Sequence, residues 1–313
     1  MEALLSGTSP LRGRTQLELR LQPFDYRTAS QYWDAEDPEL AFLTDAVLGG
    51  TAGYKDLVQV ELPRQAEGFP SWLSQTVLNP ASALFTEADF LLREDPRIQD
   101  RAPYYAILQA VSVGKSSPTA IGGAVGRPRT ALSHPLGVLT SSGYLVSEED
   151  IRKQRNASLR VTDPIVRFHQ VITRPRLWQF EERRFEDAWA ASYPTFKSQV
   201  LGPHFEHLSR EWVRRFAAEA TLGGVVGEVG TTTVADRKAR KHHEIDVVGL
   251  ASGERRHSKT SRILCIGEAK SSDRERTLHD LERLDRLRGL LVADGADCAH
   301  ARLLLFGRSG FNA

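Results

Sequence analysis

Two charged apolar segments in the last third of the chain restrict its fold more than any other feature. Residues 243–249 read H-E-I-D-V-V-G and residues 263–270 read I-L-C-I-G-E-A-K. Short apolar runs of this kind, bounded by charged loops, are the pattern of buried strands. Alternate residues of a strand face the same way. Glu268 and Lys270 therefore share a face with Leu264 and Ile266, and Glu244, Asp246 and Val248 share one on the preceding strand. If the two strands pair as a hairpin, Asp246 and Glu268 converge. Two carboxylates plus a main-chain carbonyl suit Mg²⁺, which prefers oxygen ligands and keeps several waters. Such an ion lowers the pKa of a bound water and neutralises charge on a phosphate. Lys270 is placed to orient the attacking water or to stabilise the developing anion. Asp246 and Glu268 are thus the expected metal ligands. Asp246, Glu268, Lys270 and Glu206 are the expected catalytic set, with Glu206 supplied by the F-E-H-L-S-R-E-W helix and Glu211 as its fallback. The plain alternative is an ordinary cross-strand charge pair at 268 and 270, with Asp246 a strand-end turn residue.

The surrounding pattern predicts a helix over 203–220, strands over 225–231, 244–250 and 262–269, an amphipathic helix over 274–292 and a last strand over 301–306. The basic runs at 237–243 and 254–262 flank Asp246 on both sides. They read as solvated loop ends that, beside an acidic metal site, are placed to hold a nucleic-acid backbone. Cys265 sits in an apolar strand and reads as a small buried hydrophobe. Two cysteines, Cys265 and Cys298, are too few for a Cys₄ zinc site or a disulfide framework.

Further back, helical spacing is found over 26–33, 39–48, 81–93 and 103–113. Ser117 followed by Pro118 marks the start of a helix, although the glycines of 122–126 argue against helix there. Another helix is expected over 128–141, ended by Gly143, and then a strand with its return at 156–162. Three short helices followed by a two-stranded hairpin is the winged helix-turn-helix order. Arg127, Arg129, Thr130, Ser133 and His134 lie at the N-terminal end of the third helix, where base edges would be read. Arg152, Lys153, Arg155, Asn156 and Arg160 occupy the hairpin, where phosphates would be met. A protein-binding winged helix with a solvated basic wing is the alternative. Residues 165–192, rich in Trp, Phe and Arg, read as a helical connector.

Formal net charge is +1, so any nucleic-acid surface must be a local patch. V-G-K-S-S at 113–117 is not a phosphate loop: Gln109 stands where that loop needs glycine, and no apolar strand leads in. No run approaches the ~18 apolar residues of a membrane helix, and no signal-peptide pattern opens the chain. A cytoplasmic protein without a membrane partner is expected.

An acidic strand residue and a following E-x-K, within a helix-strand-strand-strand-helix-strand order, resemble a restriction-endonuclease-like domain of the PD-(D/E)xK type. L-L-S-G-T-S-P-L-R-G-R near the start, L-x-L-x-P-F, the middle helices, F-E-H-L, E-I-D-V-V and I-G-E-A-K together resemble the archaeal-type, AAA-like P-loop ATPases. The resemblance implies a multidomain α and α/β chain. Residues 1–92 would be the end of an ATPase core and its helical lid, with 6–8 as the sensor strand and Arg14 in the loop after it. Residues 93–165 would be a winged helix-turn-helix, 166–199 a connector, and 200–313 the nuclease-like domain of uncharacterised function. The family's Walker A and Walker B segments would precede this N-terminus and are missing. ATP is therefore expected only in full-length relatives, and this chain is not expected to hydrolyse it alone. A truncated product, a mis-called start or one half of a split protein would explain that. The expected function is a DNA-associated protein with a Mg²⁺-dependent nuclease-like domain. A non-catalytic DNA-binding or regulatory module, or an ATP-dependent switch completed by a separate P-loop subunit, are the alternatives.

Overall fold

The computed structural model describes residues 19, 21–98, 100–154 and 157–312. The segments expected at 6–8 and Arg14, and the wing residues Arg155 and Asn156, lie outside the described residues. The fold is mixed, with helices, one two-stranded sheet and one four-stranded sheet. Among the described residues no helix is long and apolar enough to cross a membrane.

Helices α1 (Tyr26–Tyr32), α2 (Pro38–Leu48), α3 (Phe69–Gln75), α4 (Ala83–Glu94), α5 (Ala102–Ser112), α6 (Pro118–Val125) and α7 (Arg129–Ser141) come first. Asp25, Asp37, Ser82 and Ser117 each accept a first-turn N–H at a helix start, and Pro38 and Pro118 follow in positions that need no donor. One glycine of α6 has a packing reason. A Cβ on Gly122 would stand 2.8 Å from the Arg127 carbonyl oxygen, so the turn into α7 can approach only a bare backbone. Gly126, at φ 65°, ends α6 in the left-handed region.

A hairpin follows, β1 (Leu145–Glu149) against β2 (Ala157–Val161), with Leu145 opposite Val161. The connector expected over 165–192 is helical, in several pieces. Helix α8 (Pro164–Phe168) passes into a π turn at His169–Thr173 and a 3₁₀ turn at Arg174–Arg176, and α9 (Phe185–Thr195) passes into a second π turn at Phe196–Leu201. Pro175 and Pro194 lack the N–H that a regular α ladder needs at those points. One apolar cluster runs from Trp33 to Leu201, so the divisions drawn at 92 and 165 fall inside a shared core.

The last part is a sheet covered on both faces. Its order is β3 (Val226–Asp236), β4 (Lys241–Ala251), β5 (Ile263–Lys270), β6 (Arg302–Gly307). The first three strands are antiparallel and β6 is parallel to β5. Helix α10 (Gly202–Arg215) covers one face, packing Val213 on Val229, Val247 and Cys265. Helix α11 (Leu278–Ala293) makes the crossover and packs Leu284, Leu287 and Leu291 on Val248, Ile263 and Ile266. It starts later than the apolar pattern suggests because Thr277 and Asp280 form a capping box. Leu278, its first residue, is exposed. Lys241, His242 and His243, expected as a loop end, extend β4 instead.

Candidate active site

A local irregularity in β4 builds the site. Gly230 pairs with Val248, but Thr232 pairs with Ile245. Asp246 and Val247 thus oppose the single residue Thr231, a β-bulge, which bends a strand and re-aims a side chain. Ile245 and Val248 consequently pack in the same core, against α11, while Val247 faces α10. Asp246 turns its carboxylate toward the end of β5, where Oδ2 accepts the Ala269 N–H at 2.9 Å.

Lys270 Nζ stands 3.3 Å from Asp246 Oδ2 and 3.4 Å from Glu268 Oε1. The ammonium therefore bridges the two carboxylates that β4 and β5 bring together. Both acids are buried, at 8% and 6% exposure, which makes their pairing an energetic necessity. Arg283 of α11 reaches Glu268 Oε1 at 2.5 Å, and Arg210 of α10 donates to the Asp246 carbonyl at 3.2 Å. Glu268 Oε2 is buried without a hydrogen-bond partner.

Glu206 completes the cluster from α10. Burial first, and Asp246 second, push its carboxyl up to about 7, against the opposing pull of Arg210 and Lys270. Glu244, at the rim, is raised by desolvation and then by Asp246. Desolvation pulls the Lys270 ammonium down, but Asp246 and Glu268 outweigh it and raise it. The three acids expected from the sequence, Glu206, Asp246 and Glu268, thus all act on Lys270, with Asp246 and Glu268 at ion-pair distance. Glu211 instead pairs with Arg214 and Arg215.

Among the described residues no three His, Cys, Asp or Glu side chains could hold a metal by themselves. Two carboxylates, one with an orphaned buried oxygen, remain a donor set that suits Mg²⁺, which binds through one or two carboxylates and retains waters. Arg210, Arg283 and Glu244 were missed by sequence reasoning as parts of the site. Arg210 had a signal, since it lies four residues after Glu206 and so on the same helix face. Arg283 had none, because its contact depends on where the crossover helix settles.

The expected DNA contacts divide in two. Arg127, Arg129, Thr130, Ser133 and His134 are all exposed at the start of α7. Arg152 and Lys153 are engaged within the chain. Arg152 is 8% exposed and pairs with Asp294 at 3.3 Å, and Lys153 Nζ donates to Thr233 Oγ1 at 2.8 Å. The cause is Asp150, whose carboxylate accepts the N–H groups of Arg152 and Lys153, the Thr232 hydroxyl and the Thr233 N–H. The hairpin tip is therefore clamped to β3, with Ile151 buried in the α11 core. Arg160 pairs through Nε with Glu148 at 2.6 Å and turns the rest of its guanidinium toward a cleft beside α10.

Comparison with protein-family models, with curated proteins and with solved structures finds no match for this chain.

Proposed function

We propose that the β3–β6 unit is a restriction-endonuclease-like domain with a Mg²⁺-dependent nuclease site, carried by a DNA-associated chain. The observation that carries this reading is the bridged triad: Asp246 and Glu268 lie on neighbouring strands, both buried, and both within 3.4 Å of one lysine. Mg²⁺, when bound, would supply Lewis acidity and an activated water. Asp246 and Glu268 would hold it, the orphaned Oε2 of Glu268 offering a lone pair with no competing partner. Lys270 would stay beside the reacting phosphate as a fixed cation. Glu206 would add a carboxylate whose raised pKa lets it hold or release a proton near neutrality.

The three helices α5–α7 and the β1–β2 hairpin fit a winged helix, which α7 would present to DNA. Residues 101–147 contain no Asp or Glu, so the cations at the start of α7 face no local acidic competition. The segment before α5 fits the lid of an AAA-like ATPase, as the resemblance implies, and a separate P-loop subunit would be its complement.

The test is cleavage or nicking of plasmid and branched DNA in Mg²⁺ or Mn²⁺. Activity is expected from the wild type and loss from Lys270→Ala and Asp246→Ala, each checked for fold. Equal background in all three proteins would end the nuclease reading. A second reading, a non-catalytic DNA-binding module, is favoured by one observation: Lys270 and Arg283 already neutralise both carboxylates without a metal. It predicts salt-dependent DNA retention with no metal-dependent cleavage.

A further inference from the structure

We propose that a cleft between α10 and the helical part is a binding site for a phosphate group, held by Arg167 and Arg160 with His207 beside them. The proposal is independent of the metal-site reading. The cleft has a volume of about 1000 Å³ and is lined by all three residues.

Positive charge exceeds negative charge around Arg167. Arg160 Nε donates to Glu148 Oε1 at 2.6 Å, and Arg210 Nη2 stands 3.7 Å from Glu148 Oε2. Arg160 Nη1 and Arg167 Nη2 both donate to the Val161 carbonyl, at 3.3 and 3.1 Å. Sharing one carbonyl holds those two guanidinium groups side by side. Three guanidinium groups thus surround one carboxylate. Arg167, only 8% exposed, has no carboxylate within ion-pair distance among the described residues. Glu206 also acts on Arg167, but it is shared with Lys270 and Arg210.

A buried charge without a partner is strongly unfavourable. Burial, and then Arg160, pull the Arg167 guanidinium down to about 10, the sign of that cost. The carboxylates lining the cleft cannot relieve it, because each is engaged. Glu39 pairs with Arg308, Asp45 with His204, Asp25 with Arg215, Glu211 with Arg214 and Arg215, and Asp163 accepts from Tyr54 and the Ile165 N–H. A tetrahedral oxyanion answers the imbalance, since two adjacent guanidinium forks match its oxygens. His207 is held well below its ordinary pKa by burial and then by Arg160, so it is a neutral imidazole with one N–H to offer.

The outer cleft supplies flat apolar surface. Trp212 and Phe216 line it, and Arg27 stacks on Phe216 at 4.0 Å. Bases stack on such platforms. The ligand class is therefore a nucleotide phosphate, from a free nucleoside monophosphate or from a nucleic-acid strand.

The experiment melts the full chain in chloride and in inorganic phosphate at matched ionic strength, for wild type, Arg167→Met and Arg160→Gln. Phosphate at about 100 times its Kd should raise the wild-type Tm by about 3 °C or more. Arg167→Met should melt higher than wild type in chloride and gain nothing from phosphate. If that variant does not fold, Arg160→Gln carries the comparison, with at least tenfold weaker phosphate binding expected. Titration with dTMP, the unphosphorylated dinucleotide TpT and a 5′-phosphorylated hexamer then separates the sources. Binding of dTMP alone means a free nucleotide. Binding of dTMP and the hexamer but not TpT means a strand terminus, and equal binding of TpT means an internal backbone phosphate. No phosphate effect beyond chloride, or an equal effect in wild type and the folded variants, would overturn the proposal.

Discussion

Replacing Glu206 with glutamine should stabilise the protein at alkaline pH and leave its stability at acid pH nearly unchanged. The wild-type carboxyl is pushed from 4.5 up to about 7 by burial and by Asp246. Between those two values the native state keeps a proton that the unfolded state has released. Native protein then binds more protons than unfolded protein, so stability falls as pH rises across that window. Below pH 4.5 both states are protonated and nothing is lost. Above pH 7 the ionised carboxylate sits in full beside Asp246. At about 1.4 kcal/mol per pKa unit the whole shift corresponds to about 3 kcal/mol, and partial solvent access reduces this to roughly 1–3 kcal/mol. Glutamine keeps the shape and removes the charge. Urea unfolding in EDTA should therefore place Glu206→Gln roughly 1–3 kcal/mol above wild type at pH 8 and level with it at pH 4.5. The same variant should bind Mn²⁺ more weakly at pH 8, because one carboxylate has gone. A stability difference identical at both pH values would show that Glu206 does not ionise against Asp246, and the electrostatic account of the site would fail.

Three further outcomes concern the hairpin clamp and the start of α7. Asp150→Ala removes acceptors from two N–H groups of its own turn and from Thr232 and Thr233; it should cost about 2–4 kcal/mol and raise amide exchange in β1, β2 and β3 together, and unchanged exchange in β3 would refute the clamp. Arg129→Ala should weaken DNA retention and lower the salt slope by about one. Arg152→Ala should leave that slope unchanged while lowering stability; a slope change there would put Arg152 on the DNA.

The strands carrying Asp246 and Glu268 were legible because apolar runs with fixed charges can be buried in few ways. The convergence of those two side chains followed from the hairpin assumption. What was not legible is the bulge: nothing in E-I-D-V-V marks Asp246 and Val247 as the pair facing Thr231. Strict alternation puts Val248 on the face of Asp246, whereas Val248 and Ile245 pack together against α11. The intramolecular contacts of the wing were hidden for a related reason. Arg152 and Lys153 have the composition of a phosphate-binding turn, but Asp150 two residues earlier folds that turn onto β3. A local pattern records which side chains are charged; it does not record which other part of the chain reaches them first. The connector shows the same limit, since its break falls at residues 182–184, where Arg183 takes φ 59° and no proline marks the turn.

The two readings of the Asp246 site differ in what Arg283 does. At rest, two buried carboxylates face two cations, Lys270 and Arg283, and charge is balanced. A divalent ion brings two further positive charges, so a cation must withdraw or further acids must ionise. Arg283 has a side chain 44% exposed and can release Glu268 into water at little cost, whereas Lys270 is held by both carboxylates. Glu206, pushed up to about 7, would supply further negative charge as a cation draws its proton off. On the metal-dependent reading the arrangement is charge-balanced without metal and would accept it by moving one surface arginine. A pure scaffold would have no use for the second property, since burying Glu206 beside Asp246 destabilises the apo fold at neutral pH. That unfavourable burial is the physical reason to prefer the metal-dependent reading over the scaffold.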